Sequence, residues 1–141
     1  MSFYVFDTDS LSLLLHGHPD VCRRAAAHDP AELSLSVVTV EETLTGWYAQ
    51  IRRAKKDEQV LRAYSALQET VQFCGRVRIL PFDAAALARF QALRAAHRRT
   101  GTNDLRMAAI TLIHDGTLVT RNSRDFKDIP GLKLEDWAAV K

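Results

Sequence analysis

In the stretch YVFDTDSLSLLL (4–15), Asp7 and Asp9 stand one residue apart at the end of an apolar run. Carboxylates so placed can cap a helix, serve as a phosphate-transfer nucleophile with its acid–base partner, or belong to a metal site. Glu42, Asp104, Asn122 and Asp125 fall at comparable positions, each beside the start of a helix or the end of an apolar strand. Singly, each has a structural explanation. Asp7 can cap the helix that follows, and Glu42 can complete a capping box with Thr39. Asp104 can complement a positive helix end, and Asp125 can form a turn. Converging carboxylates are another matter, because like charges ~4 Å apart repel by about 4 kcal/mol at an effective dielectric of 20. A hard cation such as Mg²⁺, with Mn²⁺ an alternative, removes that penalty and leaves positions for water and phosphate oxygens. Phosphodiester hydrolysis uses this arrangement, with a spare carboxylate to orient water.

Such side chains converge only if the chain folds them together. Short β-leaning runs are expected as strands at 3–6, 33–38, 77–80 and 116–120, with a last edge strand in LKLEDW near the C-terminus. Helices are expected between them: one through Leu15 capped at Ser10 or Asp9, and one from Pro19 to about His28. Thr39 opens the next, which breaks near 54–57 and stops at a left-handed Gly75. Asp83 caps a helix through Arg99 with Leu87, Phe90, Leu93 and Ala96 on one face. The last runs from Thr102 or Asn103, with Leu105, Ala108, Ala109 and Leu112 buried. Alternating strands and helices imply one α/β domain over 1–141, a three-layer sandwich around a mainly parallel sheet of four to five strands. In such sheets the ligand crevice lies at the carboxyl ends of the strands, where the acids fall.

A hydrophobic share of 47% and a charged share of 26% describe a folded chain, and a net charge of +2 excludes a polycation. Nucleic acid would have to be attracted by a local patch. IRRAKK (51–56) and RAAHRRTG (94–101) are the basic clusters. The second leads into Asp104, so Arg94, Arg98 and Arg99 are candidates for holding an RNA backbone. The five histidines form no evident site, and no Ser-His-Asp order or Gly-rich phosphate loop occurs. Cys22 and Cys74 match no metal spacing and read as buried free thiols. Without a signal peptide or a membrane-length apolar segment, a cytoplasmic location is expected.

The chain resembles PIN-domain ribonucleases, specifically VapC-like toxins of type II toxin–antitoxin systems. VFDTDSLSLLL is similar to the family's hydrophobic-Asp-Thr-Asn opening, and SVVTVEETLTG (36–46) to its Ser-x-x-Thr-x-x-Glu segment, with Thr43 in place of the usual Leu. TGTNDLRMAAITLIHDGTLVTRNSRDF (100–126) is similar to the third block and IPGLKLEDW (129–137) to the closing one. The resemblance implies a PIN-like fold and a Mg²⁺-dependent endoribonuclease that leaves a 3′-hydroxyl and a 5′-phosphate. It implies Asp7, Glu42 and Asp104 as core acids and metal ligands, Asp7 and Asp104 foremost. The fourth position falls on Asn122, with Asp125 as accessory. Asp9, where the family commonly has Asn, is read as a helix cap before an accessory to the site. The implied partners are RNA, with tRNA the expected substrate, a VapB-like antitoxin covering the site groove, and a second copy in a homodimer. Trp47 and Tyr48 lie on the helix that such partners would use, or in the core.

Two rivals remain at this level. VFDTDSL also resembles the opening of haloacid-dehalogenase-type phosphatases, with Asp7 as nucleophile and Asp9 as acid–base. That reading leaves Glu42 and Asp104 without roles and finds only a poor match to the required late acidic loop. The other rival is a non-catalytic PIN-like module binding RNA or protein, against which the intact acids argue.

Overall fold

The computed structural model describes residues 3–139. Five strands form its sheet: β1 (Tyr4–Phe6), β2 (Leu33–Ser36), β3 (Arg78–Leu80), β4 (Thr117–Val119) and β5 (Lys133–Glu135). Their order is β3-β2-β1-β4-β5 and every pairing is parallel. The closing segment therefore supplies the expected edge strand.

Seven α-helices flank the sheet among the described residues: α1 (Thr8–Leu15), α2 (Pro19–Ala26), α3 (Val37–Arg53), α4 (Asp57–Cys74), α5 (Ala84–Ala96), α6 (Thr102–Ile113) and α7 (Ser123–Phe126). Successive residues of a strand point to opposite faces, so the sheet divides the core in two. Val5 and Leu118 pack with Leu105, Ala108, Ala109 and Leu93 from α5 and α6. Phe6, Leu35 and Val119 pack with Leu11, Val21 and Trp137 on the other face. The central strands β1, β2 and β4 are held by burial on both sides, whereas the edge strands β3 and β5 are largely exposed.

Several element boundaries differ from the sequence expectation. Asp7, not Ser10 or Asp9, caps α1. Helix α3 starts at Val37, because the Ser36 hydroxyl accepts from Thr39 N at 3.1 Å and so overrides the strand preference of the valines. The Thr39 hydroxyl instead donates to Phe6 O at 3.0 Å, tying α3 to β1. Glu42 is therefore no capping-box partner. Gly75 ends α4 with φ −75°, without a left-handed turn. Helix α5 buries Ala86 and Leu93 with Phe90 half-buried, a stripe that leaves Leu87 43% exposed. It stops at Ala96, three residues early, so Arg98 and Arg99 lie in a loop. Gly101 is the N-cap of α6, without a side-chain bond. Cys22 and Cys74 are free and half-buried. No described helix is long and apolar enough to cross a membrane.

Candidate active site

The chain winds from β1 outward to β2 and β3, then returns to place β4 on the other side of β1. The crevice of an open α/β sheet forms at the carboxyl ends of two strands flanking such a switch. Asp7 lies there. Its backbone N donates to Val119 O at 3.1 Å, continuing the β1–β4 pairing by one bond. Its side chain is almost fully buried, and Oδ1 accepts from Ser10 N at 2.8 Å. Burial pushes the Asp7 carboxyl above its ordinary pKa, against hydrogen bonds from Thr120 and Ser10 that favour the ionised form.

Glu42 arrives from the second turn of α3. Thr8 Oγ1 donates to its Oε1, and Asn103 Nδ2 donates to its Oε2 at 3.1 Å. Asn103 is held in turn by Arg106, whose Nη1 donates to Asn103 Oδ1 at 3.0 Å. The Arg106 guanidinium lies 5.9 Å from the Phe82 ring centre and 5.4 Å from that of Phe90. Both oxygens of Glu42 are thus positioned, Oε1 by Thr8 and Oε2 by a chain of contacts ending on two aromatic faces.

Asp104 comes from the first turn of α6. Burial raises its carboxyl pKa, and the charges of Glu42, Asp125 and Asp7 raise it further. Asp7, Glu42, Asp104 and Asn122 line one hollow of about 500 Å³. Three acids and an amide separated by up to 115 positions are therefore brought together by β1, α3, α6 and the β4–α7 turn.

The remaining candidates lie at the margin. Asp9 also borders the hollow, but its side chain is half-exposed and pairs with Arg121 at 3.7 Å. Asp125 is exposed on α7 and reaches Asp104 through its charge. Asn122 donates its backbone N to Thr120 Oγ1 at 2.9 Å. Arg94 is committed to the α5–α6 loop, donating to Thr100 O at 3.0 Å and Thr102 Oγ1 at 2.8 Å. Arg98 and Arg99 are exposed. Thr8, Asn103, Arg106 and Thr120 escaped sequence reasoning. Thr8 left a signal in the Asp-Thr-Asn opening and Thr120 as a polar residue ending an apolar strand one position beyond β4.

The donor set fits a hard divalent cation, since it consists of carboxylate oxygens with a neutral amide beside them. Among the described residues no group of three or more His, Cys, Asp or Glu side chains is spaced to hold a metal ion. Mg²⁺ suits an open site of this kind, because it keeps several waters and is held by one or two carboxylates.

Residues 4–132 match the family model of the PIN domain. Ribonuclease VapC2 of Rickettsia felis is 28% identical, over 95% of this chain and 97% of its own length. The tRNA(fMet)-specific endonuclease VapC of Salmonella typhimurium is 25% identical, over 95% and 97%. VapBC2 from Rickettsia felis, solved bound to a DNA fragment from its promoter, superposes with a TM-score of 0.75 at 26% identity, covering 96% of this chain and 98% of that one. The parallel sheet, the acids gathered at its switch point and a match running almost end to end make this chain a member of the PIN-domain family.

Proposed function

We propose that the chain is a VapC-type ribonuclease toxin, a metal-dependent endonuclease hydrolysing RNA phosphodiester bonds. The observation that carries this reading is the meeting of Asp7, Glu42 and Asp104 in one hollow, with the Asp104 carboxyl raised in pKa by burial and further by the charges of Glu42, Asp125 and Asp7. Asp7 and Asp104 would hold the divalent ion. When bound, that ion supplies charge neutralisation at the phosphate and acidifies water. Glu42, fixed by Thr8 and Asn103, orients the attacking water and takes its proton. Asn122, at the rim, offers an amide to a phosphate oxygen or to water, with Asp125 behind it. Arg98 and Arg99 contact the RNA backbone without reading bases.

The tRNA-specific name of one relative supports tRNA as the substrate, and the VapBC complexes among the structural neighbours support a VapB-like antitoxin as the partner. The phosphatase reading loses support because Asp9 faces Arg121 at the edge of the hollow. Incubating the purified chain with total RNA and Mg²⁺, then mapping new ends, tests the proposal. Cuts that vanish with EDTA and in Asp7→Asn are expected. A folded chain that cuts nothing, or a fully active Asp7→Asn variant, would overturn it.

A further inference from the structure

Arg121 has no part in the chemistry assigned to the acidic hollow, yet it stands at the rim. It precedes Asn122 in the turn between β4 and α7, and its Nη1 lies 3.7 Å from Asp9 Oδ2. Among the described residues it is the one cation ion-paired with a side chain lining that hollow. Both partners are half-exposed. At 3.7 Å the pair is longer than a hydrogen bond, and the guanidinium makes no hydrogen bond among the described residues. Its N–H donors are therefore free.

The turn beneath Arg121 is fixed. Thr120 is buried, its backbone N donates to Glu135 O at 2.9 Å, and its hydroxyl accepts from Asn122 N at 2.9 Å. Asn122 O accepts in turn from Asp125 N at 3.0 Å. The backbone on both sides of Arg121 is thus tied to β5 and α7, so a guanidinium released from Asp9 stays at the rim. An exposed pair of this kind is worth little, because solvent screens it and two side chains give up rotamer freedom. A phosphate approaching the hollow offers the same guanidinium a bidentate partner.

We propose that Arg121 contacts an RNA backbone phosphate beside the cleaved one, and that Asp9 holds it at the rim until the RNA displaces the carboxylate. The inference rests on the nuclease reading and names a further contact of its substrate. Asp7, Glu42 and Asp104 in the hollow, with Asp9 and Asp125 at its margin, repel a polyanion, and one divalent ion offsets only part of that charge. Arg98 and Arg99 lie on the loop that leads into Asp104, and Arg121 on the turn that leads into Asn122. Cations thus approach the hollow on two separate segments, as a strand laid across it requires. A solvated ion pair without a role would share this geometry, but RNA binding would then ignore both partners.

The test is the anisotropy of a fluorescein-labelled tRNA transcript across a salt series, in the Asp7→Asn background so that the probe stays intact. Arg121→Gln should reduce the slope of log K against log salt by roughly 0.7. Arg121→Lys keeps the charge and should keep the slope, so a loss shared by both variants traces to the turn and overturns the contact. Asp9→Asn releases the guanidinium and should tighten binding about threefold. In the Arg121→Gln background the same substitution should gain less, because no guanidinium is left to release. Equal gains in the two backgrounds make Asp9 a plain repelling charge and overturn its holding role. An unchanged slope in Arg121→Gln overturns the contact, and where the unmodified chain cleaves RNA the nuclease reading survives. An unmodified chain that neither cleaves nor binds RNA overturns the nuclease reading and the contact together.

Discussion

Asn103 Nδ2 lies 3.1 Å from Glu42 Oε2, so the residue preceding one acid in sequence positions another acid from a different helix. The contact couples α3 to α6 at the hollow, and Arg106 fixes the amide so that its NH₂ faces Glu42. Residues that orient a site group by hydrogen bonding are worth about 10- to 100-fold when removed. Asn103→Ala is therefore expected to lower kcat by that amount while the far-UV circular dichroism stays unchanged. Asn103→Asp should be worse, since it puts a like charge against Glu42. Single-turnover cleavage measures both, and an undiminished rate in Asn103→Ala would remove Asn103 from the mechanism.

Asp7 has two jobs, because the carboxylate that faces the hollow also caps α1 through Ser10 N. The two separate by substitution. Asparagine caps about as well as aspartate, whereas alanine costs about 1 kcal/mol. Asp7→Asn should lose at least about a hundredfold in cleavage and, in EDTA, melt no lower than the unmodified chain. Asp7→Ala should lose activity equally and melt about 4 °C lower than Asp7→Asn. Coincident melting curves would show that the cap contributes nothing.

The same double role explains what the sequence concealed. Asp7, Glu42 and Asp104 were legible as candidates, and the alternation of strands and helices was enough to predict a parallel sheet. Capping was misread because the competition is settled by tertiary contacts. Ser36 displaced Thr39 as the α3 cap once the Thr39 hydroxyl was drawn to Phe6 O across the β1–α3 junction. The contacts of Thr8 and Arg106 were not legible, since their partners lie 34 positions away or on the faces of Phe82 and Phe90. Leu87 looked like a core residue by spacing, yet the buried stripe of α5 runs one position earlier through Ala86.

The acids should destabilise the metal-free fold. The carboxyl pKa values of Asp7 and Asp104 are raised on folding, so the native state holds these protons more tightly than the unfolded chain does. Their contribution therefore favours folding at low pH and is lost as pH rises through the raised values. In EDTA at neutral pH, Asp104→Asn should melt above the unmodified protein, and the gap should close as pH falls below the ordinary carboxylate range. Mg²⁺ should reverse the order by binding the native unmodified chain. Calorimetric scans with and without Mg²⁺ read both effects, and a variant less stable than its parent in EDTA would contradict them.

Arg94 and its neighbours Arg98 and Arg99 should separate into two kinds of cation. Arg94 spans the loop before α6, reaching Thr100 O and Thr102 Oγ1 with two different nitrogens, and its guanidinium lies 5.6 Å from the Phe90 ring centre. A lysine ammonium is a point charge and cannot make that fork. Arg94→Lys should therefore cost about 1 kcal/mol of stability and lower kcat through a loosened Asp104, while Arg94→Gln should leave the salt dependence of RNA binding unchanged. Arg98→Gln and Arg99→Gln should do the reverse, each reducing the salt slope by roughly 0.7 with no change in melting. Anisotropy titrations across salt, paired with thermal melts of the same samples, measure this. If Arg94→Gln flattened the salt slope and Arg94→Lys left the melting temperature unmoved, Arg94 would be a phosphate contact and the loop would owe its shape to something else.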